Sequence, residues 1–204
     1  MAAHAEPLRW TRPRAAGLSP RAERAAVRRA LHGDAAALEV LFRAHWPAAY
    51  RAAWLIVRDA HAAEDLAQEG FVAAIRALDR FDRSRPFGPW LRTIVARRAI
   101  DAARARALRR EVGDAPLEHL PAAAQPAGRD DELLAAIAAL PDEQRVPVVL
   151  RHLLELTPGE IAALLDLPRG TVNSRLRRGL DALAHALGDE CNESRKSSGK
   201  GDVR

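Results

Sequence analysis

The chain has 204 residues, with 32 lysines and arginines against 27 acids, a net charge of +5 and a pI near 10.4, a balance that points to a polyanionic partner. Cys191 is the only cysteine, which excludes an internal disulfide and a cysteine-built metal centre and agrees with a reducing cytosol. No apolar run approaches the length of about eighteen residues that a membrane span needs, and the N-terminus lacks the continuous apolar core of a secretory signal.

The length suits one or two small domains. Alanine and arginine dominate, runs of β-branched and aromatic residues are scarce, and apolar residues recur at helical spacing. The expectation is therefore all-α: two small helical domains joined by a flexible, proline-rich linker. Residues 1–20, with Pro7, Pro13 and Pro20, predict a disordered tail. Ser19-Pro20 has the pattern of an N-cap followed by proline at the first helical position. Gly33-Asp34 breaks that helix and caps a second, which carries Leu38, Leu41, Phe42, Tyr50, Ala53, Trp54 and Val57. Pro47 is expected to kink or divide it.

After a turn at Asp59-Ala60-His61 the next helix has an apolar stripe at Ala67, Phe71, Ala74, Ile75 and Leu78. At about 100° per residue, Asp65, Leu66, Glu69, Val72 and Arg76 fall on the opposite face. Aliphatic side chains among acids on an outer face suggest a surface for another protein, although single exposed apolar residues are also ordinary. A loop then gathers Phe81, Phe87 and Trp90 among Arg80, Arg83, Arg85 and Arg92, with Pro86 and Pro89 stiffening it. Cations interleaved with flat rings suit an unpaired nucleic-acid strand, the charge tracking phosphates and the rings stacking on bases. The plainer alternative is that the rings cap a small core. From Arg76 to Arg110 there are eleven arginines against three aspartates, a local excess of eight that exceeds the +5 of the whole chain. Charge this concentrated is a nucleic-acid footprint. Residues 21–110 thus form the first domain.

Residues 111–129 carry three prolines and two glycines and no helical stripe, and read as the linker. Fully extended, that segment reaches roughly 60–70 Å, about two turns of duplex at ~34–36 Å each. The second domain, 130–188, opens with Asp130 or Asp131 as a cap before Leu133, Leu134, Ile137 and Leu140. Pro141 begins the next helix, interrupted by Pro147. Thr157-Pro158-Gly159-Glu160 is a capping box, followed by Ile161, Leu164 and Leu165, a break at Asp166-Leu167-Pro168, and a basic helix packing through Val172, Leu176, Leu180 and Leu183. This is a helix-turn-helix pattern. On the second helix Gly170, Thr171, Ser174 and Arg178 face away from the packing stripe, flanked by Arg169, Arg175 and Arg177. Residues 189–204 are polar and predict a second disordered tail.

Residues 25–187 resemble a bacterial sigma factor of the extracytoplasmic-function group, with only the second and fourth sigma domains. AEDLAQEGFVAAIRALDRF resembles the helix that binds core RNA polymerase, WLRTIVARRAID the helix that melts and reads the −10 element, and GTVNSRLRR the −35-reading segment. The resemblance implies a core-polymerase contact, at the β′ clamp, of Asp65, Leu66, Gln68, Glu69, Phe71 and Val72. It implies a −10 DNA surface of Phe81, Arg83, Arg85, Phe87, Trp90, Arg97 and Arg104. It implies a −35 DNA surface of Arg169, Gly170, Thr171, Asn173, Ser174, Arg175 and Arg178. The implied partners are core polymerase (β′ clamp and β flap), promoter DNA and an anti-sigma factor, in the bacterial cytoplasm without membrane insertion. Arg97 stands where the family has Asn, Asn173 where it has Lys and Gly179 where it has Ala, while Pro147 falls in a helix otherwise unbroken.

Two other classes compete. A stand-alone helix-turn-helix regulator is the first, but such proteins bind as dimers, and no heptad or large apolar helix is present for dimerisation. The second is an enzyme acting on nucleic acid. Its seven histidines (4, 32, 45, 61, 119, 152, 185) have no metal spacing, and no phosphate-cradling glycine loop exists. Glu64, Asp65 and Glu69 would make a poor metal site on an exposed face. No catalytic residue, metal or cofactor is expected.

Overall fold

The computed structural model describes residues 18–111 and 129–198; the expected tail over 1–17, nearly all of the linker and residues 199–204 lie outside them. Among the described residues there are eight α-helices, one short 3-10 turn and no strand.

Local side-chain caps start four of the eight described helices. Ser19 accepts from the Ala22 N–H and Pro20 opens α1, Pro20–Leu31. Asp34 accepts from Ala37 to start α2, Ala35–Val57, and Asp59 accepts from Ala62 to start α3, Ala60–Arg76. A 3-10 turn, Leu78–Arg80, leads to the loop and to α4, Phe87–Glu111. Pro47 lies inside α2 but does not divide it: the 23-residue helix runs through. These four helices enclose a core of Val27, Leu41, Leu55, Phe71, Leu91 and Val95. Gly70 lets α3 and α4 approach closely, since a Cβ there would run into the Val95 side chain.

The second unit comprises α5, Arg129–Ala139; α6, Asp142–His152; α7, Pro158–Leu165; and α8, Arg169–Ser198. Its core is Ile137, Val148, Leu150, Ile161, Val172, Leu176 and Leu183. Gly179 lets α8 close on α6, where a Cβ would meet Val148 Cγ2 at 2.8 Å. That contact accounts for glycine in place of alanine here.

Several expectations are corrected. Helix α5 already begins at Arg129, so Asp130 and Asp131 lie inside its first turn instead of capping it. Pro141 is the N-cap of α6, one residue before the helix, and Pro147 is buried inside an unbroken α6. Ile75 and Leu180, assigned to buried stripes, are 44% and 38% exposed because each sits at the edge of its stripe. Helix α8 continues to Ser198, well into the stretch expected to be a disordered tail.

The two units touch. Helix α6 packs on α2. The guanidinium of Arg145 donates to the Leu55 carbonyl at 2.7 Å, one of the last carbonyls of α2. Such carbonyls have no partner within their own helix, and that helix end carries negative partial charge, so a buried cation is well placed there.

Candidate functional site

Helices α7 and α8 form the helix-turn-helix. At α7's start, Thr157 Oγ1 accepts from the Glu160 N–H at 3.3 Å while Glu160 Oε2 accepts from the Thr157 N–H at 2.8 Å. The Thr157 backbone N–H, and then the Thr157 hydroxyl donating to the same oxygen at 2.7 Å, hold the Glu160 carboxyl below the usual range. Asp166, in the left-handed region at φ 54°, ends α7 and turns the chain toward α8. With Val172 and Leu176 anchoring one side of α8, Arg169, Gly170, Asn173 and Arg178 lie exposed on the other, together with Arg177. A Cβ on Gly170 would meet nothing within 4 Å, so its bare backbone is open to approach from outside. Thr171 and Ser174 are half-buried, Ser174 Oγ donating to the Thr171 carbonyl at 2.9 Å. Arg175 is half-buried and faces Glu143 at 3.6 Å.

The aromatic loop differs from its sequence reading. Phe81 and Phe87 are 7% and 3% exposed, and their rings lie edge to face 5.8 Å apart. Trp90 closes the cluster at 4.6 Å from Phe81 and 5.6 Å from Phe87. Phe87 and Trp90 belong to the first turn of α4 and not to the loop. The two phenylalanines therefore cap the core between α1 and α4, and as placed neither offers a face for base stacking. Trp90 is half-buried and keeps part of its surface open. Arg83, Arg85, Arg97 and Arg104 are exposed. Arg85 lies 3.5 Å from Asp82, which accepts from the backbone and hydroxyl of Ser84 and shapes the loop. Other arginines of the basic run are engaged: Arg98 with Glu69 at 2.8 Å and Arg106 with Asp59 at 2.7 Å. Arg104 Nη2 reaches the Leu164 carbonyl of the second unit at 3.4 Å.

On α3, Asp65, Gln68, Glu69 and Val72 are exposed as the acidic face requires. Phe71 is not part of that surface. It is 4% exposed, its ring 4.8 Å from Phe42 and 6.1 Å from Trp46, so it supports the face from beneath. Leu66 is half-buried and lines a cleft between the two units with Asp65, Glu69, Arg106, Asp142 and Arg145. Ile75 and Val72, three residues apart on α3, are 44% and 46% exposed, and Phe42 of α2, whose ring lies 4.8 Å from that of Phe71, is 39% exposed. Exposed apolar side chains on α3, with Asp65 and Gln68 on the same helix, suit a protein partner better than a polyanion.

Sequence reasoning missed Glu23, His45 and Arg145. Glu23 and His45 lie far from the loop in sequence yet pack beneath it, and only the three-dimensional arrangement brings them there. Arg145 is 4% exposed and saturates itself with Leu55 and Leu140 carbonyls and with Asp142 at 2.7, 2.8 and 2.8 Å. Beside it Arg58, stacked 4.3 Å from the Trp54 ring, is held below the usual guanidinium pKa by burial and then by the charge of Arg145. Among the described residues no three metal-ligating side chains come together, and no helix is long and apolar enough to cross a membrane.

Residues 41–109 match Sigma-70 region 2, and residues 130–183 match Sigma-70 region 4. The first span holds α3 and α4, the second the helix-turn-helix. SigW of Bacillus subtilis, an extracytoplasmic-function sigma factor, is 31% identical over 160 residues, covering 69% of this chain and 83% of its own. This chain is an extracytoplasmic-function sigma factor. SigE of Mycolicibacterium smegmatis is 32% identical, over 81% of this sigma factor and 68% of its own length. CarQ of Myxococcus xanthus is 33% identical, over 75% and 90%. Among solved structures, CnrH in complex with the cytosolic domain of CnrY superposes with a TM-score of 0.52 at 28% identity, over 82% of this sigma factor and 98% of that chain. RpoE from Bartonella quintana, in complex with the anti-sigma factor NepR, shares the fold with a TM-score of 0.54 at 24% identity, over 74% and 96%.

Proposed function

We propose that this sigma factor docks on core RNA polymerase through the exposed α2–α3 face, grips duplex DNA upstream with α8, and holds the opened strand of the −10 region along the loop and α4. The observation that carries the reading is the exposure of Val72, Ile75 and Phe42 beside Asp65 and Gln68, on helices whose other sides build the core. A stand-alone regulator leaves that surface without a partner. On α8, Arg178 and Arg169 are exposed donors for guanine edges or phosphates, and Gly170 and Asn173 allow close approach to the groove. On α4, Arg97 and Arg104, with Arg83 and Arg85 in the loop, track phosphates, a contribution that weakens as salt rises. Trp90 keeps the half-open ring surface. The Phe81 and Phe87 rings act as the wall behind the strand, not as stacking platforms.

CnrH, the neighbour at 28% identity, was solved bound to part of CnrY. An anti-sigma partner that covers the polymerase or DNA surface fits the same arrangement here.

Run-off transcription with core polymerase over a pool of promoter fragments tests the reading. Promoter-specific transcripts are expected only when this sigma factor is added. No transcripts, together with no co-elution with core polymerase on a sizing column, would hand the case to a stand-alone regulator. Val72→Glu places a charge in the apolar strip at a position whose exposure spares the fold. It should weaken core binding by about tenfold or more, the equivalent of losing roughly 1.5 kcal/mol of apolar burial. Unchanged affinity would place the docking surface elsewhere.

A further inference from the structure

We propose that Glu23, on α1, is a positioning residue for promoter opening, holding the start of α4 and its aromatic cluster in place from a different helix. The proposal rests on the reading that the loop and α4 act on the −10 strand.

A helix start needs oxygen acceptors for its first N–H groups. The loop before helix α4 offers only the side-chain oxygens of Asp82 and Ser84. Pro86 precedes the helix, and Asp82 is occupied by Ser84 within the loop. The acceptor comes from 64 residues away: the Phe87 N–H donates to Glu23 Oε2 at 3.1 Å. The other carboxylate oxygen lies 3.0 Å from His45 Nε2, and both side chains are largely buried, at 13% exposed for His45 and 12% for Glu23. Burial alone would raise the Glu23 carboxyl, but the His45 imidazole 3.0 Å away and the Phe87 N–H outweigh it and hold the carboxyl below its usual range.

His45 also fixes the turn by shape. Its ring lies 5.4 Å from that of Phe87, and a Cβ on Gly88 would stand 3.0 Å from the imidazole. Phe87 in turn touches Phe81 and Trp90. One carboxylate on α1 and one imidazole on α2 therefore set the position of every ring in the cluster. The same helix presents Arg24 and Arg28 to a cavity of about 250 Å³ shared with Arg83 and Arg85, so α1 and the loop meet along a basic edge. A helix start capped from within its own loop could move as one piece with that loop. Capping from α1 ties the loop to the body of the domain, which is what a rigid wedge against duplex DNA requires.

The test uses full-length protein with core polymerase, on the promoter that the wild-type holoenzyme selects from a randomised −35/−10 library. Strand opening is read by permanganate reactivity on duplex template, and again on a template with a pre-melted −10 bubble. Glu23→Ala should slow opening of the duplex by about tenfold or more, leave core binding unchanged, and lose much less on the bubble template. Glu23→Gln keeps an acceptor oxygen for the Phe87 N–H and should recover a measurable part of the opening rate. Hydrogen exchange at the Phe87 and Gly88 amides should quicken in the alanine variant. Equal opening by wild type and alanine variant would overturn the proposal. So would parallel loss on both templates, or loss of core binding with it, because those mark a purely structural role. If the wild-type holoenzyme selects no promoter, it is the sigma reading that fails.

Discussion

Replacing Arg145 by alanine removes a buried cation that holds three acceptors, two of them backbone carbonyls. Leu140 and Leu55 carbonyls lose donors at 2.8 and 2.7 Å, and Asp142, 84% exposed, returns to water at little cost. A buried carbonyl left without a donor costs about 1–3 kcal/mol. The Leu55 carbonyl lies close to the inter-unit cleft that Arg145 lines, so water can take over part of its need. The Leu140 carbonyl bears most of the loss, and the stem's packing goes as well. The expected destabilisation is about 2–4 kcal/mol, less than the full penalty for orphaning a buried charge partner because Asp142 is solvated. The probes for it separate the two units cleanly. All nine aromatic side chains fall at or before Trp90 in sequence, so tryptophan fluorescence reports the first unit and far-UV circular dichroism reports both. Urea unfolding of Arg145→Ala should show the circular dichroism midpoint falling more than the fluorescence midpoint. A loss under about 1 kcal/mol would refute the reasoning that Arg145 satisfies carbonyls that nothing else can reach.

Gly70→Ala should destabilise the first unit by about 1–3 kcal/mol in the same denaturation assay, since its Cβ would lie 2.3 Å from Val95 Cγ2 and 3.3 Å from Val95 Cα on α4; a stabilised variant would mean that the helices can part freely and that helix propensity decides. Thr157→Ala removes the acceptor for the Glu160 N–H and should cost about 1 kcal/mol by circular dichroism, with no change meaning that water caps α7 equally well. Burial, with the charge of Arg151 added, holds the His152 imidazole below its usual pKa, so folding favours its neutral form. Stability from this group is complete above the unfolded value of about 6.5 and is lost as pH falls toward the folded value. His152→Leu should flatten that part of the acid slope of unfolding free energy against pH; an unchanged slope would assign it to another group.

What was legible in the sequence follows from where each helix finds its first acceptor. Ser19, Asp34, Asp59 and Thr157 cap helices that begin within a residue or two of them, and each start is readable from local chemistry. Helix α4 is capped by Glu23, so nothing near Phe87 marks its beginning, and the first turn of that helix reads as loop. The same non-local contact explains why Phe81 and Phe87 look available for bases in sequence and are buried in the fold. The continuation of α8 to Ser198 is unreadable for a different reason. Once a helix is nucleated, each added residue costs little, and no apolar stripe is needed to carry it on. Arg145 satisfies backbone carbonyls, which have no residue signature at all, so its burial has no counterpart in the sequence pattern.

The contact between the two units bears on how the DNA surfaces work together. Fully extended, the linker reaches about two turns of duplex at ~34–36 Å each, farther than units held in contact by α6 on α2 and by Arg145 on the Leu55 carbonyl. Arg104, assigned to the opened strand, has its guanidinium on the Leu164 carbonyl at the end of α7, so in the closed arrangement a −10 donor is tied to the −35 unit. On the proposed reading, engagement of two elements at the linker's full reach breaks both of these bonds. The cost is borne by DNA binding, because apparent affinity is the intrinsic affinity reduced by the fraction of molecules already open. The two bonds differ in weight. The Arg104 contact is exposed and 3.4 Å long, close to the limit of a hydrogen bond, and contributes little. The Arg145 bond is buried, short and charged, and it sits where the carboxyl end of α2 most favours a cation. Of the two contacts, the Leu55–Arg145 bond therefore does more than the Arg104–Leu164 contact to hold the units together.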